Sequence, residues 1–119
     1  MNREIKFKCW HKRYQMLLQV IDLSISLRLV NFEIADAEYQ EDFDVVEILQ
    51  YTGLKDKNGK EIYESDIVSD AHTIFKIIWY KGRFDFERIS GAFQYPYFGD
   101  NCSRMEIIGN IFENPDLLK

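Results

Sequence analysis

The pattern of apolar and polar positions along this 119-residue chain favours β-strands over most of its length. Apolar and polar residues alternate over residues 4–10 and, more strictly, from Ile21 to Leu29, where five apolar side chains share one face of a two-residue repeat. The phase of the alternation reverses at Val30, so we expect a bulge or turn near Leu29–Asn31. A strand face of this length must be covered, which predicts homo-oligomer formation through Ile21–Leu29 if the rest of the chain does not cover it.

The segment from Ala35 to Phe43 has two interpretations. Asp36 would suit the N-terminus of a short helix on which Tyr39 and Phe43 share a face, or the segment is an acidic loop. The remaining predicted elements are strands at Val45–Leu49, Thr73–Tyr80, Arg83–Phe86 and Met105–Phe112, a short turn at Lys81-Gly82, a loop over residues 90–103, and a helical turn that begins at Asn114-Pro115.

The densest turn chemistry lies between Gln50 and Val68. Asn58-Gly59 is predicted to form the tight turn of a hairpin with both residues at positive φ, since Gly lacks a Cβ and Asn tolerates the left-handed region. Leu54 and Ile62 then lie on opposite arms of the hairpin. The polar residues 64–66 mark a second turn before the next strand.

Three segments of the chain together resemble the YopX family, small proteins found in bacteriophages and prophages. Residues 50–68 resemble the family's signature, Arg3–Trp10 resembles its first strand and Ile107–Leu118 resembles its C-terminal segment. Ser65 is a departure, because the family usually has Gly there. The residues assigned to the structural signature are Tyr51, Gly53, Asn58, Gly59, Tyr63, Asp66, Gly109, Asn110 and Pro115.

This resemblance implies a mainly β fold, with an N-terminal β layer, a small C-terminal barrel or roll of the Src-homology-three type and a short C-terminal helical turn. We expect a single domain over residues 1–119, with lobes at 1–48 and 49–119. The resemblance implies no catalytic residue and an accessory role in a bacteriophage or prophage.

Charge and cysteine content narrow the classes of partner. The net charge of −5 disfavours general nucleic-acid binding. The segment from Glu33 to Glu47 is acidic and contains no basic residue, so it is either a solvated surface or a docking face for a basic partner. The apolar region Met16–Ile34 is interrupted by charges, so no membrane span is expected. Cys9 and Cys102 lack metal-ligand spacing, and in a chain without a signal peptide we expect reduced thiols and a cytoplasmic protein.

No pattern of residues predicts catalysis, a metal or a cofactor. His11 and His72 are isolated in sequence and are expected at the surface. Glu64 and Asp66 flank a turn, where carboxylates usually bond to nearby backbone N–H groups rather than act as acid and base. Cys102 has no neighbour in sequence that would activate a thiol.

The aromatic loop after residue 90 is the candidate binding surface. It comprises Phe93, Tyr95, Tyr97 and Phe98, with Arg83 and Arg88 nearby. Aromatic residues beside a proline either bind a peptide, stack on bases, or fold onto the core and cover a sheet edge. The sequence therefore predicts a non-enzymatic module that binds an unknown host or phage protein. The alternatives are a nucleic-acid-binding β-barrel and, third, an enzyme.

Overall fold

The structure, a computed structural model, describes residues 4–91 and 98–118. Its contacts divide the chain into an N-terminal unit over Glu4–Gln50 and a C-terminal unit over Tyr51–Lys119. Both units are built from antiparallel strands, so the predicted mainly β fold is confirmed. Within the described residues, no helix combines the length and the apolar character that crossing a bilayer requires.

The described part of the chain contains ten strands. They are β1 (Phe7–His11), β2 (Met16–Ser24), β3 (Leu29–Ile34), β4 (Ala37–Asp42), β5 (Val46–Lys55), β6 (Glu61–Tyr63), β7 (Asp66–Ser69), β8 (Ile74–Tyr80), β9 (Arg83–Ser90) and β10 (Glu106–Asn110). A short helix α1 spans Phe98–Asn101, and single 3-10 turns span Phe43–Val45, Cys102–Arg104 and Pro115–Leu118. The predicted loop over residues 90–103 is therefore partly helical, whereas the predicted C-terminal helical turn is present.

In the N-terminal unit the strand order is β4-β3-β2-β1 followed by the first half of β5. Its buried core comprises Cys9, Leu18, Val30, Phe32 and Val46. In the C-terminal unit β6 pairs with the second half of β5, and a second sheet has the order β10-β7-β8-β9. Its core includes Ile62, Val68, Phe75, Ile77, Phe84, Cys102 and Met105. The closure of this unit into a Src-homology-three barrel stays a prediction.

The predicted continuous strand from Ile21 to Leu29 is wrong. Residues 25–28 form a turn between β2 and β3, Arg28 has φ +57°, and the Leu27 N–H donates to Ser24 Oγ at 3.2 Å. The side chains of Ile25 and Leu27 are exposed at this turn instead of sharing a strand face. This turn ends directly before Leu29, next to the predicted bulge or turn at Leu29–Asn31, and a bulge lies further back, between Val20 and Asp22. Association of copies through this segment stays a prediction, which light scattering tests.

Neither interpretation of Ala35–Phe43 is correct. Ala35 and Asp36 form a two-residue turn, at φ +51° and +67°, and the chain continues as strand β4. Pairing of β3 with β4 places Phe32 beside Tyr39 with ring centroids 6.1 Å apart. Burial of one face of β3 fixes this register, because a slip of one residue would turn Phe32 out of the core.

His11 is fully buried, so its predicted surface position is wrong. Its Nε2 lies 2.9 Å from Glu41 Oε2, and its Nδ1 accepts a hydrogen bond from the Tyr14 N–H at 3.2 Å. The Tyr14 ring stacks on the imidazole at a centroid distance of 3.9 Å, and Phe32 contacts it edge-on. Glu41 lies thirty positions away in sequence. His72, in contrast, is exposed as predicted.

Candidate binding surface

The β8–β9 hairpin of the C-terminal unit holds the most prominent exposed aromatic pair in the described residues. A two-residue turn at Lys81 (φ +52°) and Gly82 (φ +84°) joins the strands, and its backbone twist matches that of the strands on either side. Trp79 and Tyr80 immediately precede this turn and are 53% and 51% exposed. Since successive strand residues point to opposite faces, the two rings lie on the two sides of the same hairpin end.

On the inner side, Trp79 rests on an aromatic cluster. Its ring meets Phe84 edge-on at a centroid distance of 4.8 Å, and Phe98 at the start of α1 lies 5.0 Å from Phe86 and 6.4 Å from Phe84. The predicted candidate Phe98 is thus half-buried and packs on the core of its unit. Its contacts hold Trp79's neighbours in place, which gives the exposed indole a rigid support.

On the outer side, Tyr80 borders a shallow groove of about 500 Å³. The Lys81 Nζ lies 5.2 Å from the centroid of the Tyr80 ring. Three of the six residues that line the groove are charged, so the groove offers mixed polar and apolar contacts. Its lining residues are Ile78, Tyr80, Asp85, Phe86, Glu87 and Arg88.

The charges around the hairpin are of both signs, and two of the cations, Arg83 and Lys76, are paired with acids. Arg83 Nη2 lies 3.3 Å from Asp85 Oδ2, and Lys76 Nζ lies 3.0 Å from Glu87 Oε1. Arg88 Nη1 donates to the carbonyl of Gly91. The predicted cations Arg83 and Arg88 therefore join no continuous basic stripe among the residues that the structure describes. To bind Arg83 or Lys76, a polyanion would have to displace the acidic partner of that residue.

Of the predicted surface, Arg83 lies next to the hairpin turn and lines a pocket together with Phe98. Arg88 lies five residues further along β9, beside Gly91, and Phe93, Tyr95 and Tyr97 lie outside the described residues. Sequence reasoning missed Trp79 and Tyr80, because it treated both as ordinary residues of a strand. The signal was available, since two adjacent aromatic residues before a Lys-Gly turn stand at the end of a hairpin.

The signature residues serve the architecture of the C-terminal unit. Tyr51 and Tyr63 face each other across β5 and β6 at 5.4 Å, and Gly53 has φ +87° at an irregularity of that pairing. Gly59 has φ +82° as predicted, but Asn58 is not at positive φ, so that part of the turn prediction is wrong. Asp66 Oδ2 accepts from the Tyr63 N–H at 2.8 Å, a bond within a turn as expected.

Asp56, which the sequence did not single out, organises the turn at Asn58-Gly59. Its Oδ1 accepts from the N–H groups of Asn58 (2.8 Å) and Lys60 (2.9 Å), and its Oδ2 accepts from the Ile107 N–H (3.0 Å). Burial by itself raises the pKa of the Asp56 carboxyl, but these three donors and the nearby Lys60 charge outweigh it and lower the pKa below its ordinary value. The carboxylate thus ties the hairpin loop to β10.

The C-terminal signature residues form a second local network. Asn110 Oδ1 accepts from the N–H groups of Phe112 and Glu113 at 3.0 and 2.9 Å. A Cβ at Gly109 would collide with Asn114 Oδ1, which accepts from the Asn110 N–H. Pro115 opens the final 3-10 turn. Only glycine fits at position 109 without moving Asn114.

The two thiols are free and buried, one in each unit. Burial raises the pKa of Cys9 to about 11 and that of Cys102 to about 12. Both are therefore protonated near neutral pH and lack the thiolate that a cysteine nucleophile requires. Within residues 4–91 and 98–118, no three His, Cys, Asp or Glu side chains converge as metal ligands.

Comparison with known proteins identifies similarity over nearly the whole chain. A family model described as "YopX protein" matches residues 6–119. The solved structure titled "Crystal structure of protein EF1440 from Enterococcus faecalis" is 28% identical to this chain, with a TM-score of 0.70. The match covers 99% of this chain and 100% of that one. No curated protein matches this chain.

Proposed function

This chain belongs to the YopX family, and from that premise we propose that it is a non-enzymatic protein-binding module encoded by a bacteriophage or prophage. Family membership confirms the resemblance noted in the sequence. The observation that carries the proposal is the exposed Trp79–Tyr80 pair at the end of a rigid hairpin. Trp and Tyr supply a large share of binding energy at protein interfaces, since each buries a large apolar area at little cost in side-chain entropy.

The charges around the pair favour a protein over a nucleic acid as the partner. A nucleic-acid site needs cations that are available to phosphates, because phosphate neutralisation supplies most of the affinity. Here Arg83 and Lys76 are paired with Asp85 and Glu87 on the same two strands. Such a mixed rim suits a protein surface with complementary charges of both signs.

The protonated thiols also support a binding role over cysteine chemistry. The module would act in the bacterial cytoplasm, where its partner is a host or phage protein.

Affinity capture from bacterial lysate, with and without nuclease, tests the proposal. We expect a protein partner that is retained after nuclease treatment and lost with the double variant Trp79→Ser/Tyr80→Ser. Ile25→Ser is the matched control, because Ile25 is a large apolar residue on a hairpin turn of the other unit and is 78% exposed. Loss of all partners on nuclease treatment would favour the nucleic-acid alternative, and equal capture by the double variant would refute the role of the hairpin.

A further inference from the structure

The strand β4 forms a free edge of the N-terminal unit. Among the described strands it pairs with β3 alone, and five of its six residues are exposed. The two-residue turn at Ala35 and Asp36 makes Ile34 and Ala37 a hydrogen-bonded pair. From there the direction of the backbone groups alternates along the strand. The N–H and C=O groups of Glu38, Gln40 and Asp42 therefore point away from β3 and offer donors and acceptors to an added strand.

The side chains of the same three residues lie on the face of the sheet opposite the core. Glu38 stands directly across from Glu33, and Gln40 bonds to Asn31, beside which lies Asp22 of β2. Two carboxylates in direct cross-strand opposition repel each other and destabilise the hairpin. This free edge therefore keeps an unfavourable concentration of negative charge that a cationic ligand would relieve.

Among the residues that the structure describes, these carboxylates have no cationic partner within ion-pair distance. The ion pairs among the described residues of this unit use Glu4, Glu41, Asp44 and Glu47, and not Asp22, Glu33, Glu38 or Asp42. Asp42 Oδ1 accepts from the Asp44 N–H and keeps its charge. These four carboxylates, none in an ion pair among the described residues, are distributed along three strands instead of converging on a point. This arrangement suits an extended ligand with several cationic groups better than a metal ion.

We propose that β4 binds a basic, extended segment of a partner protein as an added antiparallel strand. Backbone hydrogen bonds to Glu38, Gln40 and Asp42 hold the segment, and lysine or arginine side chains opposite Glu38 and Asp42 set its register. These two acids are four residues apart on one face, so the partner carries basic residues at the same spacing. An apolar residue immediately before the second basic one lies against Tyr39, which is 48% exposed and backed by Phe32.

The negative charge of the β4 edge disfavours two other ligands, a second copy of the chain and a nucleic acid. A second copy of the chain would bring its own Glu38 and Asp42 against the same acids, and a nucleic acid would add phosphates to them. A basic peptide strand removes the repulsion that both would increase. This inference does not depend on the β8–β9 hairpin, which lies in the other unit, so either proposal can fail alone.

The test uses the full chain, labelled with ¹⁵N, and a synthetic peptide of threonines that carries two lysines four positions apart, with valine before the second lysine. We expect saturable binding that slows hydrogen exchange at the amides of Glu38, Gln40 and Asp42. The amides of Tyr39 and Glu41 already bond to β3 and should change little. A peptide with glutamates in place of the lysines should not bind.

Two charge reversals make the test specific. Glu38→Lys should weaken peptide binding by roughly 2- to 30-fold, because one cross-strand attraction becomes a repulsion of similar size. Glu4→Lys changes the net charge by the same amount as Glu38→Lys, but at a position before β1. It should leave the affinity for the peptide within about twofold of the wild-type value. The ¹H–¹⁵N spectrum shows that each variant is folded. Absence of saturable binding, binding without the alternating protection, or equal weakening by Glu4→Lys would each overturn the proposal.

Discussion

Replacement of Asp56 by Asn should strongly destabilise the C-terminal unit. The buried carboxylate accepts three backbone hydrogen bonds, two at Oδ1 and one at Oδ2. An amide has nearly the same shape but offers one acceptor oxygen and one NH₂ donor. If its oxygen keeps the bonds to Asn58 and Lys60, its NH₂ group meets the Ile107 N–H, and two donors face each other without an acceptor.

The magnitude follows from the bonds that are lost. A hydrogen bond to a charged group contributes about 1.5–3 kcal/mol, and a buried donor left without an acceptor costs about 1–3 kcal/mol. One charged bond and one orphaned N–H together give a loss of about 2.5–6 kcal/mol, with relaxation bringing the measured value toward the lower end. This is a large fraction of the about 5–15 kcal/mol that typically separates folded from unfolded protein.

Urea unfolding followed by tryptophan fluorescence measures this loss as a change in the free energy of unfolding. Asp42→Asn is the matched control, because Asp42 is exposed and accepts one bond at the start of a 3-10 turn, a position that Asn fills almost equally well. We expect a change below about 0.5 kcal/mol for the control. A loss of that small size for Asp56→Asn would refute the assigned role of the carboxylate.

The dependence of the free energy of unfolding on pH, below about pH 4, tests the role of Asp56 independently. The pKa of Asp56 is lowered in the folded protein, so the unfolded chain binds more protons at acid pH. The stabilisation by Asp56 is therefore complete above the ordinary pKa of 3.8 and is lost as the pH falls below it, through the folded-state pKa. The difference in stability between wild type and Asp56→Asn should shrink over that range. A constant difference would contradict the argument.

Three further predictions concern turns and thiols. Gly59→Val should lower the free energy of unfolding in urea by more than about 1 kcal/mol. Open space surrounds the new Cβ, so the loss comes from backbone strain at φ +82°, and an unchanged urea midpoint would contradict this. Ser65→Gly should be neutral or stabilising by less than about 1 kcal/mol in thermal melting, since Ser65 has φ +76° and Gly removes strain while raising unfolded-state entropy; a clear loss would refute it. Cys9 and Cys102, with pKa values of about 11 and 12, should react with iodoacetamide at least about 100-fold more slowly at pH 8 than after unfolding in urea.

Turns with distinctive residues could be predicted from the sequence, and turns without them could not. Gly59, Gly82 and Ser65 all have positive φ where local chemistry predicted turns. The β3–β4 turn uses Ala35 and Asp36, and an alanine at positive φ has no local advantage. That turn is favoured because β3, which it joins to β4, is buried against the core on one face. This stabilisation comes from residues outside the turn, so the sequence of the turn itself does not predict it.

The β2–β3 turn was hidden for a different reason. Ser24 to Arg28 continues the alternation of the preceding strand, so the pattern of a strand persists through a reversal of the chain. The Ser24 hydroxyl and the positive φ of Arg28 make the turn. The sequence also contains no sign that His11 is buried, because its partner Glu41 lies thirty positions away and reaches it only after β3 and β4 have folded back.

The residues of the signature segments are poor places to look for the proposed partner binding. Asp56 uses both carboxylate oxygens on backbone N–H groups, and the Asn110 amide bonds to Phe112, Glu113 and the Glu113 carboxylate. Side chains whose hydrogen-bonding groups are occupied inside the fold have little left to offer a ligand. The exposed Trp79–Tyr80 pair and the edge of β4 lie outside the signature segments. Substitutions there should change partner binding with little change in the free energy of unfolding, whereas substitutions at Asp56 should do the reverse.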